Sequence, residues 1–534
     1  MVTATATFEP ARTRPGELTP THVAVAIIAA FTVLRLISAT LVGLGVDEAY
    51  TLAIARQLQL SYFDHPPLHL WIVHLFSGAL GYGRLARLPF IALFAGTSWL
   101  LFVLTARLFG PRAGIWALVT LNVSAFFTVA AGSWVLPDGP LLFCLLGTAV
   151  HAERLMFTRA FAYDRAEWGR WLAIGAWLGM AALAKYQAVT LAIGLGLFLV
   201  TTPRGRAWLG RPQPYVAALL TLVILAPVIV WNAQHDWASF AFQGGRAAGA
   251  HGLRPLAPLA ALAGQAVLLL PWIFVPLAWA TWRALRSGPA EPRSWLCVSL
   301  GLPGVILFTL TPLWGQSALP HWAMPSWLML IPLLAERLGE DDREHRWPRA
   351  WMIFALAACA ALWITLAGEA ATGWIGRAWP ATFVKGDPTL ESVEWMPPGG
   401  LAQAEAGLTR PFVVAMKWNE AGRARALFSD RTPVMVFSDD PRGFGDLRGD
   451  GPLVGRDALI FVKPEDLATG LGRVSRCFEA VTPMKDASIG RGGYTELSVH
   501  VFDGHRLKPA CSDLGRRSDT ARRQWLALKA QDAP

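Results

Sequence analysis

Apolar residues in this chain fall into runs of two lengths. The longer runs are Thr21–Leu44, Leu88–Ala106, Ala113–Ala131, Gly139–Met156, Trp168–Ala184, Ala188–Val200, Tyr215–Trp231, Pro258–Trp282, Trp295–Leu310, Trp322–Leu338 and Trp351–Ala367. They predict about eleven membrane-spanning helices. The shorter run, Leu68–Leu80, follows Pro66-Pro67, a good helix start. Its apolar residues Leu68, Trp71, Ile72, Leu75, Phe76, Ala79 and Leu80 form one stripe, with His69, Val73, His74 and Ser77 opposite. Such a helix is too short to cross a bilayer and suits its interface. The segment starting at Val46 reads the same way, as a second interfacial helix. Beyond Ala367 the pattern changes. Pro411–Met416, Val434–Phe437, Ala458–Val462 and Leu497–Phe502 predict short strands, and Asn419–Phe428 a helix between the first two.

The expected architecture is therefore a polytopic α-helical membrane protein with a small C-terminal α/β domain. Residues 1–20 are read as a cytoplasmic tail, 21–367 as the transmembrane part and 368–534 as the soluble domain. The composition agrees: of 534 residues, 54% are hydrophobic and 16% charged, with 25 Trp. The net charge of +10 is explained by membrane topology, since no nucleic-acid motif accompanies it. The first apolar run lacks a small-residue cleavage site and reads as an uncleaved span.

Topology follows from the distribution of arginine. Connections containing Arg107/Arg112, Arg154/Arg159/Arg165, Arg204/Arg206/Arg211, Arg283/Arg286/Arg293 and Arg337/Arg343/Arg346/Arg349 alternate with connections poorer in positive charge. Placing the arginine-rich set in the cytoplasm works only if Leu68–Leu80 does not cross. The N-terminus is then inside. The first acidic loop and the C-terminal domain are outside, on the periplasmic face of an inner membrane. Cys144, Cys297 and Cys359 lie in apolar runs, whereas Cys477 and Cys511 lie in the external domain, where a disulfide is allowed.

This topology gathers the unusual polar residues on one face. The first external loop holds Asp47, Glu48, Asp64 and His65, and the second holds Asp138. The third contributes Lys185 and Tyr186, the fourth Arg246 and the fifth His321. A carboxylate here can deprotonate an acceptor or hold a divalent cation, with Asp47 and Asp138 the candidate ligands, while Lys and Arg neutralise a phosphate. Each residue also has a plainer reading. Asp47-Glu48 is equally a solvated helix start, Asp138 an N-cap after Pro137, Lys185 a snorkelling lysine, and Arg246 and His321 loop residues. Glu48 is expected to point away from Asp47; Arg35, within the first span, could pair with one of the acids, and its role is open.

An Asp-Glu pair after the first span, then a short helix and an acid-base pair before Pro-Pro-Leu, resembles the polyprenyl-phosphate-sugar glycosyltransferases of the GT-C fold. Pro137-Asp138, Ala184-Lys185-Tyr186, Trp231-Asn232 through Arg246, and Pro320-His321-Trp322 are similar to glycosyltransferase family 39-like members. These include bacterial aminoarabinose and galacturonic acid transferases of lipopolysaccharide and the protein O-mannosyltransferases. The likeness covers about residues 20–340 and is weak beyond Ala367, apart from Asp387-Pro388-Thr389. It implies inverting transfer from a sugar-phospholipid to an envelope lipid, glycan or protein. Asp47 would be the base or acceptor-orienting acid, and Asp138 a second acidic partner, with Glu48 and Asp64 beside them. Lys185 and Arg246 would hold the lipid phosphate, and His65, Tyr186 and His321 would contact substrate. His65 departs from the pattern, since the aminoarabinose transferases carry Lys before Pro-Pro. Two other functions fit a chain of this class. A transporter or flippase of a lipid-linked sugar predicts repeat symmetry, and no repeat is visible; a scaffold built on the outer domain leaves the acidic loop unexplained.

Overall fold

The computed structural model describes residues 18–157, 165–248, 252–315, 318–383, 387–396, 407–408, 411–428, 432–447 and 452–531. Helices fill the first part: α1 (Pro20–Leu41), α2 (Val46–Ile54), α3 (Leu68–Leu80), α4 (Leu88–Phe109), α5 (Pro111–Asn122), α6 (Ala125–Ser133), α7 (Asp138–Phe157), α8 (Arg165–Ala184), α9 (Ala188–Thr201), α10 (Pro203–Leu209), α11 (Gln213–Gln234), α12 (Ala238–Ala248), α13 (Ala257–Leu269), α14 (Pro271–Ser287), α15 (Pro292–Leu310), α16 (Met324–Asp341) and α17 (Trp347–Thr372). Local signals set their ends. Thr19 caps α1, its hydroxyl accepting from the His22 N–H, and proline occupies the first turn of α4, α5, α10, α11, α13, α14, α15, α16 and α17.

The chain is a multi-span helical membrane protein. Among the described residues, six helices are long and apolar enough to cross, and up to nine spans result if each bent pair counts once. The bent pairs are α5–α6 at 77°, α9–α10 at 105° and α13–α14 at 114°. Every run that predicted a span is helical, but α8 (Arg165, Glu167, Arg170) and α16 (Glu336, Arg337, Glu340, Asp341) carry charge clusters that set them apart. Central α7 is 78% buried over its most apolar window, whereas α17 is 6% buried and α1 17%. Such apolar yet uncovered faces are those of helices solvated by lipid. Close crossings use small residues: a Cβ on Gly194 would lie 2.3 Å from the Ser299 carbonyl oxygen, so only glycine lets α9 approach α15 this closely.

Arg35 pairs with none of the acids. Its Nη2 donates to Asn122 Oδ1 at 2.8 Å and its guanidinium lies 4.4 Å from the Phe94 ring centroid. It braces the break where α5 ends and α6 turns away.

After α17 come α18 (Trp374–Ala378) and a mixed sheet of β1 (Trp395–Met396), β2 (Phe412–Ala415), β3 (Val434–Val436), β4 (Ala458–Val462), β5 (Phe478–Pro483), β6 (Ala487–Arg491) and β7 (Tyr494–Leu507). Its order is β1-β6-β7-β4-β2-β3, with β5 also on β7. β2 runs parallel to both β3 and β4, and the remaining pairs are antiparallel. All five residues of β4 are buried, as its unbroken apolar run requires of a strand covered on both faces. The crossover from β2 to β3 is α19 (Trp418–Arg425), α20 (Gly472–Arg476) leads into β5, and α21 (Asp519–Ala530) follows β7. Cys477 and Cys511 form a disulfide with Cα atoms 5.6 Å apart, and Cys144, Cys297 and Cys359 are free and buried.

The two halves share a core. Tyr50, Leu52 and Ile54 of α2 pack in one cluster with Phe90, Val135, Ala415, Ala421, Val436 and Phe444. This corrects the expectation for α2, which is a buried wedge between the helical part and the sheet. Its apolar residues are covered by α19 and the turn at Phe444, leaving no face for lipid. On α3, by contrast, Leu68, His69, Leu70 and Val73 face the protein while Leu75 and Phe76 are exposed. Arg84 adds a second tie, bonding both oxygens of Glu394 at 2.8 and 2.9 Å. Asp387 caps the turn at Thr389 (2.8 Å) and pairs with Arg491, which also bonds Glu369 at the end of α17.

Candidate active site

The candidate residues converge from separate elements on a buried recess where the helical part meets the sheet half. Asp138 opens α7, where the helix dipole favours a carboxylate. Lys185 stands in the turn between α8 and α9, and its ammonium bonds both Asp138 oxygens at 3.0 Å. Both side chains are almost wholly enclosed. The charges of Lys185, His321 and His65 all act on Asp138. His321 lies in a short 3-10 turn, stacked near Phe126 with centroids 6.3 Å apart. His65 meets His69 edge to face at 5.6 Å.

Asp47 stands at the first turn of α2 with part of its surface open to solvent. Crowding by neighbouring atoms strips water from its carboxyl and pushes it above the ordinary carboxylate value. The negative charges of Asp64 and Glu391 add to this, and Lys185 opposes it. Asp64 is enclosed, and burial raises its carboxyl against the opposing pull of the Tyr50 hydroxyl and the Arg442 charge. The Asp64 carbonyl accepts from Gln243 Nε2 at 2.6 Å, which fastens α12 to the first loop.

Glu48, expected among the catalytic acids, sits elsewhere. Arg87 Nε bonds its Oε1 at 2.7 Å, and the same carboxylate accepts from the Gly45 and Val135 N–H groups at 2.9 and 3.0 Å. Arg87 spends its remaining donors on the Ala39, Val42 and Gly43 carbonyls. Glu48 thus points away from Asp47 and welds the end of α1 to the start of α2. The Tyr186 and Ser239 hydroxyls share a hydrogen bond of 2.7 Å, so Tyr186 holds α12. Arg246 lies in α12, and its side chain is outside the described residues.

Sequence reasoning missed Tyr50, His69 and Arg442. Tyr50 follows Asp47 by three residues, the spacing that puts both on one side of α2. His69 follows His65 by four. It is buried, and desolvation, then the His65 charge, hold it well below the ordinary imidazole value. Arg442 comes from the C-terminal sheet half and has no local signal.

The Lys185 ammonium, 3.0 Å from both Asp138 oxygens, sets a positive charge against a divalent cation at Asp138. Glu420, Glu465 and Asp466 also approach one another, but Lys463 and Lys417 pair with them.

Comparison with known proteins bears on what such a recess is for. Residues 64–231 match the family model described as dolichyl-phosphate-mannose-protein mannosyltransferase. ArnT from Cupriavidus metallidurans, solved bound to undecaprenyl phosphate, superposes with a TM-score of 0.60 over 91% of this chain and 98% of that one, at 16% identity. The chain has the GT-C fold. The apo form of the same ArnT gives 0.59 over 90% and 98%, at 17% identity, so the GT-C match does not depend on the bound lipid. Among curated proteins, lipid A galacturonosyltransferase RgtD of Rhizobium johnstonii (strain DSM 114642 / LMG 32736 / 3841) is 26% identical over 294 residues. That alignment covers 53% of this chain and 58% of the relative. The GT-C likeness drawn from the motifs is thus matched in the fold, and it extends through the C-terminal half, where the motifs were weak.

Proposed function

We propose that this chain is a membrane glycosyltransferase that moves a sugar from a polyprenyl-phosphate donor to an envelope acceptor: lipid A or lipopolysaccharide, another glycan, or a protein. The observation that carries the reading is the Lys185–Asp138 pair. It is a buried ammonium with donor capacity left over, and its charge acts on Asp47. In this reading Lys185 and Arg246 bind the lipid phosphate, while His65 and His321 line the sugar side. Asp47 takes a proton from the acceptor hydroxyl or amine as that atom bonds the anomeric carbon. The carbon–oxygen bond to phosphate breaks on the opposite face, so configuration inverts and the released phosphate charge is met by Lys185. No step needs a metal. RgtD and ArnT, by their names and bound lipid, support the donor and acceptor classes.

The proposal includes the placement. About eleven helices cross, α3 lies in the interface with Leu75 and Phe76 toward lipid, and residues 368–534 form a periplasmic domain above residues 21–367. Mass spectrometry of envelope lipids from cells with and without the protein should show one glycosylated species lost on deletion. Asp47→Asn should lower single-turnover transfer by about 10²-fold or more with much less change in donor binding. Near-normal transfer by that variant sinks the assignment of Asp47.

A further inference from the structure

The C-terminal half meets α2 at the turn Arg442–Asp446. The Gly443 N–H donates to the Tyr50 hydroxyl at 2.9 Å. A Cβ on Gly443 would fall 2.5 Å from Ile54 Cδ1 and 2.8 Å from that hydroxyl, so the turn is seated on α2 with no slack. α19 presses on the same helix, where a Cβ on Gly422 would lie 2.6 Å from the Tyr50 nitrogen. Arg517 clamps the turn. Its Nε and Nη2 bond the two Asp446 oxygens at 3.1 Å, and Nη2 also donates to the Arg442 carbonyl. The Arg517 guanidinium lies over the ring of Phe63, the neighbour of Asp64.

Arg442 is held in an unusual state. Its φ is +49°, a left-handed conformation costly for a residue with a Cβ. Its guanidinium lies 4.8 Å from the Phe242 ring centroid and 4.9 Å from that of Trp418, with Nε on Asp440 at 2.9 Å. Its Nη groups make no hydrogen bond among the described residues. The Tyr50 hydroxyl, braced by Gly443, in turn bonds the Asp64 carboxylate.

We infer that this turn is a working part of the transfer site: through Tyr50 it fixes the Asp64 carboxylate, and through Arg442 and Arg517 it balances the charge of that carboxylate. The inference rests on reading the recess as the site of transfer. Arg442 is then a positioning residue that acts through Asp64. The titratable and charged groups around Asp64 are Tyr50 and Asp47 on α2, His65 next in the chain, Tyr186 after α8, and Arg442 and Arg517 from the C-terminal sheet half. Burial drives Asp64 toward the neutral form, and the Tyr50 hydrogen bond, Arg442 and Arg517 oppose it. Without the turn, Asp64 protonates at higher pH.

The test is a double-mutant cycle on the full-length protein in nanodiscs, read by thermal unfolding at pH 5 and pH 8. Arg442→Gln should lower the midpoint by about 2–4 °C at pH 8. The loss should shrink at pH 5 and vanish in an Asp64→Asn background. Arg442→Lys should restore most of it. Transfer is followed from pH 5 to 9 with undecaprenyl-phosphate galacturonic acid as donor and lipid A as acceptor. There the acid limb of kcat/KM should move to higher pH in Arg442→Gln and in Tyr50→Phe, and stay in place in Arg442→Lys. An arginine serving only as packing between Phe242 and Trp418 would cost the same in both Asp64 backgrounds and leave the limb unmoved, which overturns the inference. A wild type inactive in transfer with the coupling intact overturns the functional reading instead.

Discussion

The helical part holds two buried ion pairs, and their surroundings differ. Glu48–Arg87 is saturated: the carboxylate has four donors and the guanidinium spends its remaining N–H groups on carbonyls. Lys185–Asp138 is sparse, since among the described residues the two side chains hydrogen-bond only to each other. A saturated buried pair is structural, because nothing more can be added to it. A sparse one keeps donor capacity that a phosphate can use, which is the condition for binding at a site already shielded from water.

The comparison breaks first at Arg87. Arg87→Met leaves Glu48 charged, enclosed and short of donors, so the protein should lose about 3–5 kcal/mol of stability. Folded yield and urea unfolding in nanodiscs check this, and unchanged stability would end the claim that the pair is structural. Lys185→Met should show the reverse balance, with donor affinity lower by about 10–100-fold. The double variant Lys185→Met/Asp138→Asn sharpens the point. It should regain stability, because no lone charge stays buried, while donor binding stays weak. Recovery of donor binding would remove Lys185 from the phosphate site.

The smallest effect concerns a third buried acid. Glu420 has its carboxyl pushed up to about 7 by burial, with Lys463 3.7 Å away and opposing the rise. A carboxyl raised on folding favours the folded state while it is neutral. That contribution is complete below its ordinary value and is lost as pH climbs through about 7. Glu420→Gln should therefore raise the unfolding midpoint by about 2–4 °C at pH 8 and leave it unchanged at pH 4. Equal shifts at both pH values would mean that the carboxyl titrates normally.

What the sequence made legible follows from how far apart the partners lie. Apolar length was enough to find each long helix, and the stripe in Leu68–Leu80 marked both bounds of α3. The buried strands β2, β3 and β4 were visible because they are short and continuously apolar. β5 and β6 were not, since their exposed and buried residues mix and Pro483 ends the first. At the site, Asp47, Asp64, Asp138 and Lys185 were found by loop position. The role of Glu48 was hidden because Arg87 lies 39 residues on, where spacing carries no information. Arg442 was further still, and α2 was misread because its apolar face has the same pattern whether lipid or protein covers it.

The wedge position of α2 also bears on how the molecule is made. Tyr50 meets Gly443 across 393 residues, so a helix synthesised near the start is completed by segments that emerge near the end. Until then Leu52 and Ile54 lack the C-terminal part of their cover, and the acid at the head of the helix has an incomplete frame. A ribosome stalled before residue 411 would leave a full set of membrane helices around an unformed centre. The interval between synthesis of the two halves is a period in which a protease or chaperone can distinguish finished copies from truncated ones.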